Sequence, residues 1–169
     1  MAMTSKPAKQ KRTRRRKRRR KPHNEPVYYV MQIESWDWSL SFGVSQSKHF
    51  DDPYMDYRHL ELNGRLLQPT NIKANMAEAI LIPDKNLNEE NRQQHQPKSV
   101  GSLNLSDGKL RALLSIPQDV LDTILQMLAA ERFKYIVITG DKLHYRQAMV
   151  KSFRLECELD EDDLPPEEI

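Results

Sequence analysis

Two imidazoles and three carboxylates fall within eleven residues, in the run His49-Phe50-Asp51-Asp52-Pro53-Tyr54-Met55-Asp56-Tyr57-Arg58-His59. Imidazole nitrogen and carboxylate oxygen are ligands for divalent cations and partners in acid–base catalysis. The spacing matches no ligand motif, however, and Asp and Pro are also what a turn between strands needs. The run reads as a solvated loop, with no metal and no cofactor. His144 and Arg146 share one phase of a strand whose other phase carries Leu143 and Tyr145. They read as a surface pair, with phosphate contact as the sharper alternative. Cys157, the chain's one cysteine, falls in an apolar phase with no base near it in sequence, which describes a buried, inert thiol. Five glycines are too few for a phosphate-cradling loop, and neither Gly-x-Ser-x-Gly nor His-Glu-x-x-His occurs. No catalytic residue is assigned, and a non-enzymatic protein is expected.

Charge gives the clearest signal. Lys9, Lys11 and Arg12 lead into an unbroken run of eight cations, Arg14, Arg15, Arg16, Lys17, Arg18, Arg19, Arg20 and Lys21. The whole chain has 169 residues with 27 Lys/Arg against 24 Asp/Glu, a net charge of +3. That small sum hides a basic arm at 1–22, a near-neutral domain at 23–159 and an acidic tail at 160–169. Adjacent like charges repel, so the arm is expected to be disordered alone and to be used by a polyanion. Each cation that neutralises a phosphate releases condensed counterions, which gives affinity without sequence preference. Arginine adds bidentate phosphate contacts. No apolar stretch follows the cations, as a secretory signal requires, and no apolar face accompanies them, as a mitochondrial presequence requires. A membrane patch lacks its second anchor. The expected setting is intracellular: cytoplasmic, or nuclear if the host is eukaryotic.

The elements that would carry these residues are mostly strands. Trp36, Trp38, Leu40, Phe42 and Val44 alternate with Asp37, Ser39, Ser41 and Gly43, a period of two with one buried face. On that reading Trp36 and Trp38 are core aromatics; exposed, they would be a stacking platform for single strands. Upstream, Val27, Tyr29, Met31 and Ile33 carry the apolar phase on odd positions, so a bulge is expected at Glu34-Ser35. Asn63-Gly64 and Asp107-Gly108 are two-residue hairpin signals. The second sets Leu105 opposite Leu110 and Leu103 opposite Ala112. Residues 71–82 alternate with Ile72, Ala74, Met76, Ile80 and Ile82 in phase and Glu78 as the exception. A capping box at Ser115-Ile-Pro-Gln118 opens a helix through 131, with Val120, Leu121, Ile124, Leu125, Met127 and Leu128 on one stripe. Strand chemistry returns at Phe133–Thr139. Gly140-Asp141 then turns into a last strand with Leu143, Tyr145, Met149, Phe153 and Leu155 in phase. Residues 83–98 are polar and read as a mobile loop.

The expected fold is α+β and mainly β. About eight strands form an antiparallel curved sheet or sandwich with one amphipathic helix packed on it. The expected function is binding of DNA or RNA phosphates through Lys9–Lys21. The alternative is a protein-interaction adaptor whose arm is only a targeting signal, with a protein partner at the β-rich domain. A basic arm before a β-rich domain also resembles, in architecture and in no motif, the coat proteins of small RNA viruses. That resemblance implies a jelly roll with an arm that holds the genome; the helix and the acidic tail depart from it. The opposite charges of the two ends also predict that the tail competes with nucleic acid for the arm.

Overall fold

The computed structural model describes residues 25–45, 53–92 and 97–160. Among them seven strands form one closed barrel: β1 (Val27–Val44), β2 (Tyr54–Gln68), β3 (Met76–Asp84), β4 (Gly101–Ser106), β5 (Lys109–Pro117), β6 (Tyr135–Gly140) and β7 (Gln147–Glu156). Their order around the barrel is β1-β2-β3-β5-β4-β7-β6, and β6 closes on β1. The described residues are mainly β with one amphipathic helix, α1 (Leu121–Ala129). All neighbouring pairs are antiparallel except β3 and β5. The parallel pair arises because β5, not β4, lies beside β3, and the β4–β5 hairpin reverses the chain in between. The two-sheet jelly roll implied by the coat-protein outline is a different architecture.

Inward positions are filled alternately by large and small side chains. Leu60, Leu62, Leu81, Leu103 and Leu114 interleave with Ala77, Ala79, Ala112 and Ala148. Helix α1 sends Leu121, Ile124 and Leu128 into the same cluster, so it plugs one end of the barrel. At the helix C-terminus the Arg132 N–H bonds Met127 O and the Glu131 N–H bonds Leu128 O, with Glu131 in the left-handed region at φ 54°.

Several expectations hold. Register slips between Ile33 and Ser35, which leaves Glu34 as the extra residue and flips the apolar phase there. Asp107 (φ 51°) and Gly108 (φ 74°) make a two-residue turn with Leu105 opposite Leu110 and Leu103 opposite Ala112. Others are corrected. Asn63-Gly64 is no turn; both lie inside β2. A Cβ at Gly64 would stand 1.8 Å from the Gln32 carbonyl oxygen, so the glycine serves the close approach of the bulged β1 backbone. In β3 the inward phase is Ala77, Ala79 and Leu81, the reverse of that expected, and Glu78 lies on the outer face. Large aliphatics at Ile80 and Ile82 outweigh alanines in any sequence pattern, yet the narrow barrel takes the alanines. Ser115, Ile116 and Pro117 remain paired with β3, so no capping box forms; a 3-10 turn at Gln118–Val120 leads into α1. In β7 a register shift around Lys151 changes the inward phase from Ala148 and Val150 to Phe153 and Leu155. The segment read as a mobile loop forms two short 3-10 turns, Lys85–Leu87 and Glu89–Asn91, before its undescribed part at 93–96.

Candidate nucleic-acid interface

The cations Lys9–Lys21 lie outside the described residues, as do His49, Asp51, Asp52 and residues 161–169. What the structure defines is where the arm joins. Val27, the first residue of β1, pairs with Gly140, the last of β6. Three connections share that end of the barrel: residues 69–75, the Asp107-Gly108 turn, and the β6–β7 loop at 141–146. The helix and the start of the acidic tail lie at the other end.

The β6–β7 loop is built to hold its tip outward. The buried Tyr29 ring sends its hydroxyl to donate to Asp141 O at 2.9 Å. Burial raises the pKa of that hydroxyl above the ordinary tyrosine value, which keeps it a donor. His144 and Gln147 exchange backbone hydrogen bonds of 2.8 and 3.1 Å, which makes Tyr145-Arg146 the two central residues of a tight turn. Both have positive φ, 50° and 67°. Asn and Gly normally fill such positions; bulky side chains there are strained. Tyr145 is 88% exposed, with its ring edge-on to His144 at 4.1 Å. Shallow grooves flank the loop. One, of about 430 Å³, is lined in part by Asn104, Lys142 and His144; the other, of about 460 Å³, by Lys73, Asp107 and Arg146. Lys73, Lys142 and Arg146 form no ion pair among the described residues. Sequence reading placed Tyr145 in an apolar phase and missed it. A hairpin turn without Gly or Asn leaves no signal, and the bulge near Lys151 shifts the phase counted back to it.

The His49–His59 run does not converge where it is described. Asp56 pairs with Phe42 and His59 with Ser39, so the two lie on opposite faces of the β1–β2 ladder. Asp56 holds Arg58 at 2.6 Å, and His59 Nε2 meets Glu61 Oε1 at 3.1 Å. The His59 Nδ1 is buried with no hydrogen-bond partner among the described residues. Among the described residues no group of three or more His, Cys, Asp or Glu is placed to hold a metal. Cys157 is half-buried.

Trp36 and Trp38 are not core. The β1–β6 pairing ends at Gln32 and the β2–β3 pairing at Leu60, so Ser39–Val44 and Tyr54–His59 overhang the barrel as a two-stranded ribbon, with Trp36 and Trp38 at its root opposite Leu62 and Leu60. One ribbon face carries Trp36, Trp38, Leu40, Phe42, Val44 and Tyr54, all exposed. Phe42 and Tyr54 stack with ring centroids 5.7 Å apart. Alternation reported an apolar face correctly; the layer that would cover it is absent among the described residues.

No described helix is long and apolar enough to cross a membrane. Comparison of the chain with protein-family models, curated proteins and solved structures returns no match.

Proposed function

We propose that the protein is a non-enzymatic, nucleic-acid-associated module. Its arm, Lys9–Lys21, neutralises phosphates, and the barrel end where the arm joins adds a local contact through Lys73, Lys142, Tyr145 and Arg146. The single observation that supports this best is the shared end. The chain that carries the run of eight cations enters β1 at Val27, at the barrel end where a strained turn exposes a tyrosine and an arginine. Tyrosine stacks on any base, and guanidinium meets phosphate in a bidentate fork. The described residues themselves carry 14 Lys/Arg against 17 Asp/Glu, so bulk attraction to phosphate has to come from the arm.

The test is fluorescence anisotropy with a generic duplex and a generic single strand across salt. With about eight arm charges on phosphates, log K falls against log salt with a slope of about −6 to −7 on duplex. Deleting residues 1–21 abolishes binding and leaves the thermal transition within a few degrees, since every periodic apolar residue lies beyond them. Full binding by the truncated chain would overturn the reading. The adaptor reading, with the arm as an address only, draws its support from the exposed ribbon face; it predicts no measurable affinity for either nucleic acid at physiological salt.

A further inference from the structure

We propose that the overhanging β1–β2 ribbon is the contact surface between two copies of this chain, packed face to face about a two-fold axis. The apolar stripe runs from Trp36 to Val44 with Tyr54 opposite Val44, and its exposure ranges from 37% at Trp38 to 66% at Phe42. From side-chain sizes this is about 600 Å² of open apolar surface, at the upper limit of patches on soluble monomers. In that packing two copies would remove on the order of 1,000 Å² from water, the area a specific interface has to clear.

The chain's undescribed stretches offer few apolar side chains for a cover. The undescribed stretches 1–24, 46–52, 93–96 and 161–169 hold between them only Met1, Met3, Phe50, Leu164 and Ile169 as large apolar residues. A nucleic-acid strand is a poor match. On the stripe's own face the described charges are Asp56 and Arg58, which cancel, while Asp37 and Glu61 lie on the other face. The arginine is already engaged, with Asp56 at 2.6 Å. Phosphates would find no net positive charge on that face.

A second copy matches in shape and charge. Leu40 lies opposite Arg58 and Phe42 opposite Asp56 on the same face. A two-fold axis passing between those two rungs sets Leu40 against Phe42 of the other copy and Arg58 against Asp56 of the other copy. The tryptophan end of each stripe then runs toward the valine end of its mate, and the two barrels lie at opposite ends of the paired ribbons. Each Asp56–Arg58 pair becomes half of a four-charge cluster, so the polar groups on the face keep partners when water leaves.

Sedimentation velocity on the full chain tests this, in 0.5 M NaCl to screen the arm. The expected particle has about twice the 19.9 kDa chain mass at tens of micromolar. Phe42→Asp weakens the dimer at least about 100-fold while far-UV circular dichroism and the thermal transition are kept. Asp56→Arg and Arg58→Asp, which leave the apolar stripe in place, are each monomeric alone and pair when mixed in equal amounts, because the mixture restores both Arg–Asp contacts. A wild-type chain that stays monomeric at about 100 μM, a dimer unaffected by Phe42→Asp, or charge variants that do not pair on mixing overturns the proposal. The outcome is independent of whether the arm binds nucleic acid.

Discussion

Two positions at opposite levels of burial, the Tyr145-Arg146 turn and Glu78, carry a local cost that can be measured. Tyr145 and Arg146 occupy left-handed backbone at a tip that asks for Asn-Gly, and each L-residue there costs about 1 kcal/mol. Replacing the pair by Asn-Gly is expected to stabilise the domain by about 1–2 kcal/mol in urea unfolding. The same change is expected to weaken single-strand binding by about 1–3 kcal/mol through loss of stacking and of one cation. A gain of stability with no loss of binding would show that the turn is strained for some other reason. Glu78 is the buried counterpart. Its carboxylate is 8% exposed on the barrel's outer face, held by Lys109 Nζ at 2.8 Å and by Arg111 Nε. Burial pushes its pKa up, but the hydrogen bonds and charges of Lys109 and Arg111 outweigh burial and hold it below the usual glutamate value of 4.5. A carboxylate with a depressed folded pKa contributes stability that is fully present above its unfolded pKa and lost as pH falls through the folded one. Glu78→Gln is therefore expected to cost about 1–3 kcal/mol at pH 7, and the gap from wild type is expected to close on acidification below 4.5. Urea unfolding at pH 7 and pH 3 reads both.

At the scale of elements, the two glycine dipeptides separate what a pattern states from what packing decides. Asp107-Gly108 and Asn63-Gly64 look alike in sequence, and only the first is a turn. Gly108 needs its positive φ, whereas Gly64 needs the missing Cβ, because the Gln32 carbonyl occupies that space. Gly64→Ala meets fixed backbone, and overpacking of that kind costs about 2–3 kcal/mol. Gly108→Ala pays for the left-handed conformation alone, about 1 kcal/mol. Thermal or urea unfolding of the two variants checks the order; equal losses would mean that the β1 bulge yields easily. Local signals were readable where one strand pair or one helix sufficed to define them: the Glu34 bulge, the β4–β5 register, and the stripe of α1 apart from Val120, which is exposed in the turn before the helix. They failed where a third element intervened. Ser115 and Ile116 have helix-start chemistry but are claimed by β3, and Ala77 and Ala79 face a barrel interior too narrow for the isoleucines beside them. The candidate interface was half readable. Its cations stand in plain sequence, while Tyr145 needed the hairpin and the Tyr29–Asp141 anchor to be located at all.

For the whole molecule, the barrel keeps the two charged ends apart. The arm joins at Val27 beside Gly140, while the chain leaves at Glu156, which pairs with Tyr135, itself opposite Gln32. Five residues of β1 separate those levels, or about 17 Å. That exceeds the Debye length of about 8 Å at physiological salt, so the folded ends do not attract across the barrel, and contact requires segments beyond them to meet. The arm supplies twelve Lys/Arg in 1–21 and the tail eight Asp/Glu in 156–169, enough for close pairing if the chains reach. Tethering sets an effective concentration on the order of millimolar, well above most nucleic-acid concentrations in a binding assay. The tail is therefore expected to compete for the arm. Removing residues 160–169 is expected to tighten binding to duplex and single strand alike by about 1 kcal/mol at low salt, and the gain is expected to shrink as salt rises. Anisotropy titrations of the two chains at low and at physiological salt measure it. Unchanged affinity at low salt would mean that the barrel holds the ends too far apart, and that the acidic tail serves a basic surface on another molecule.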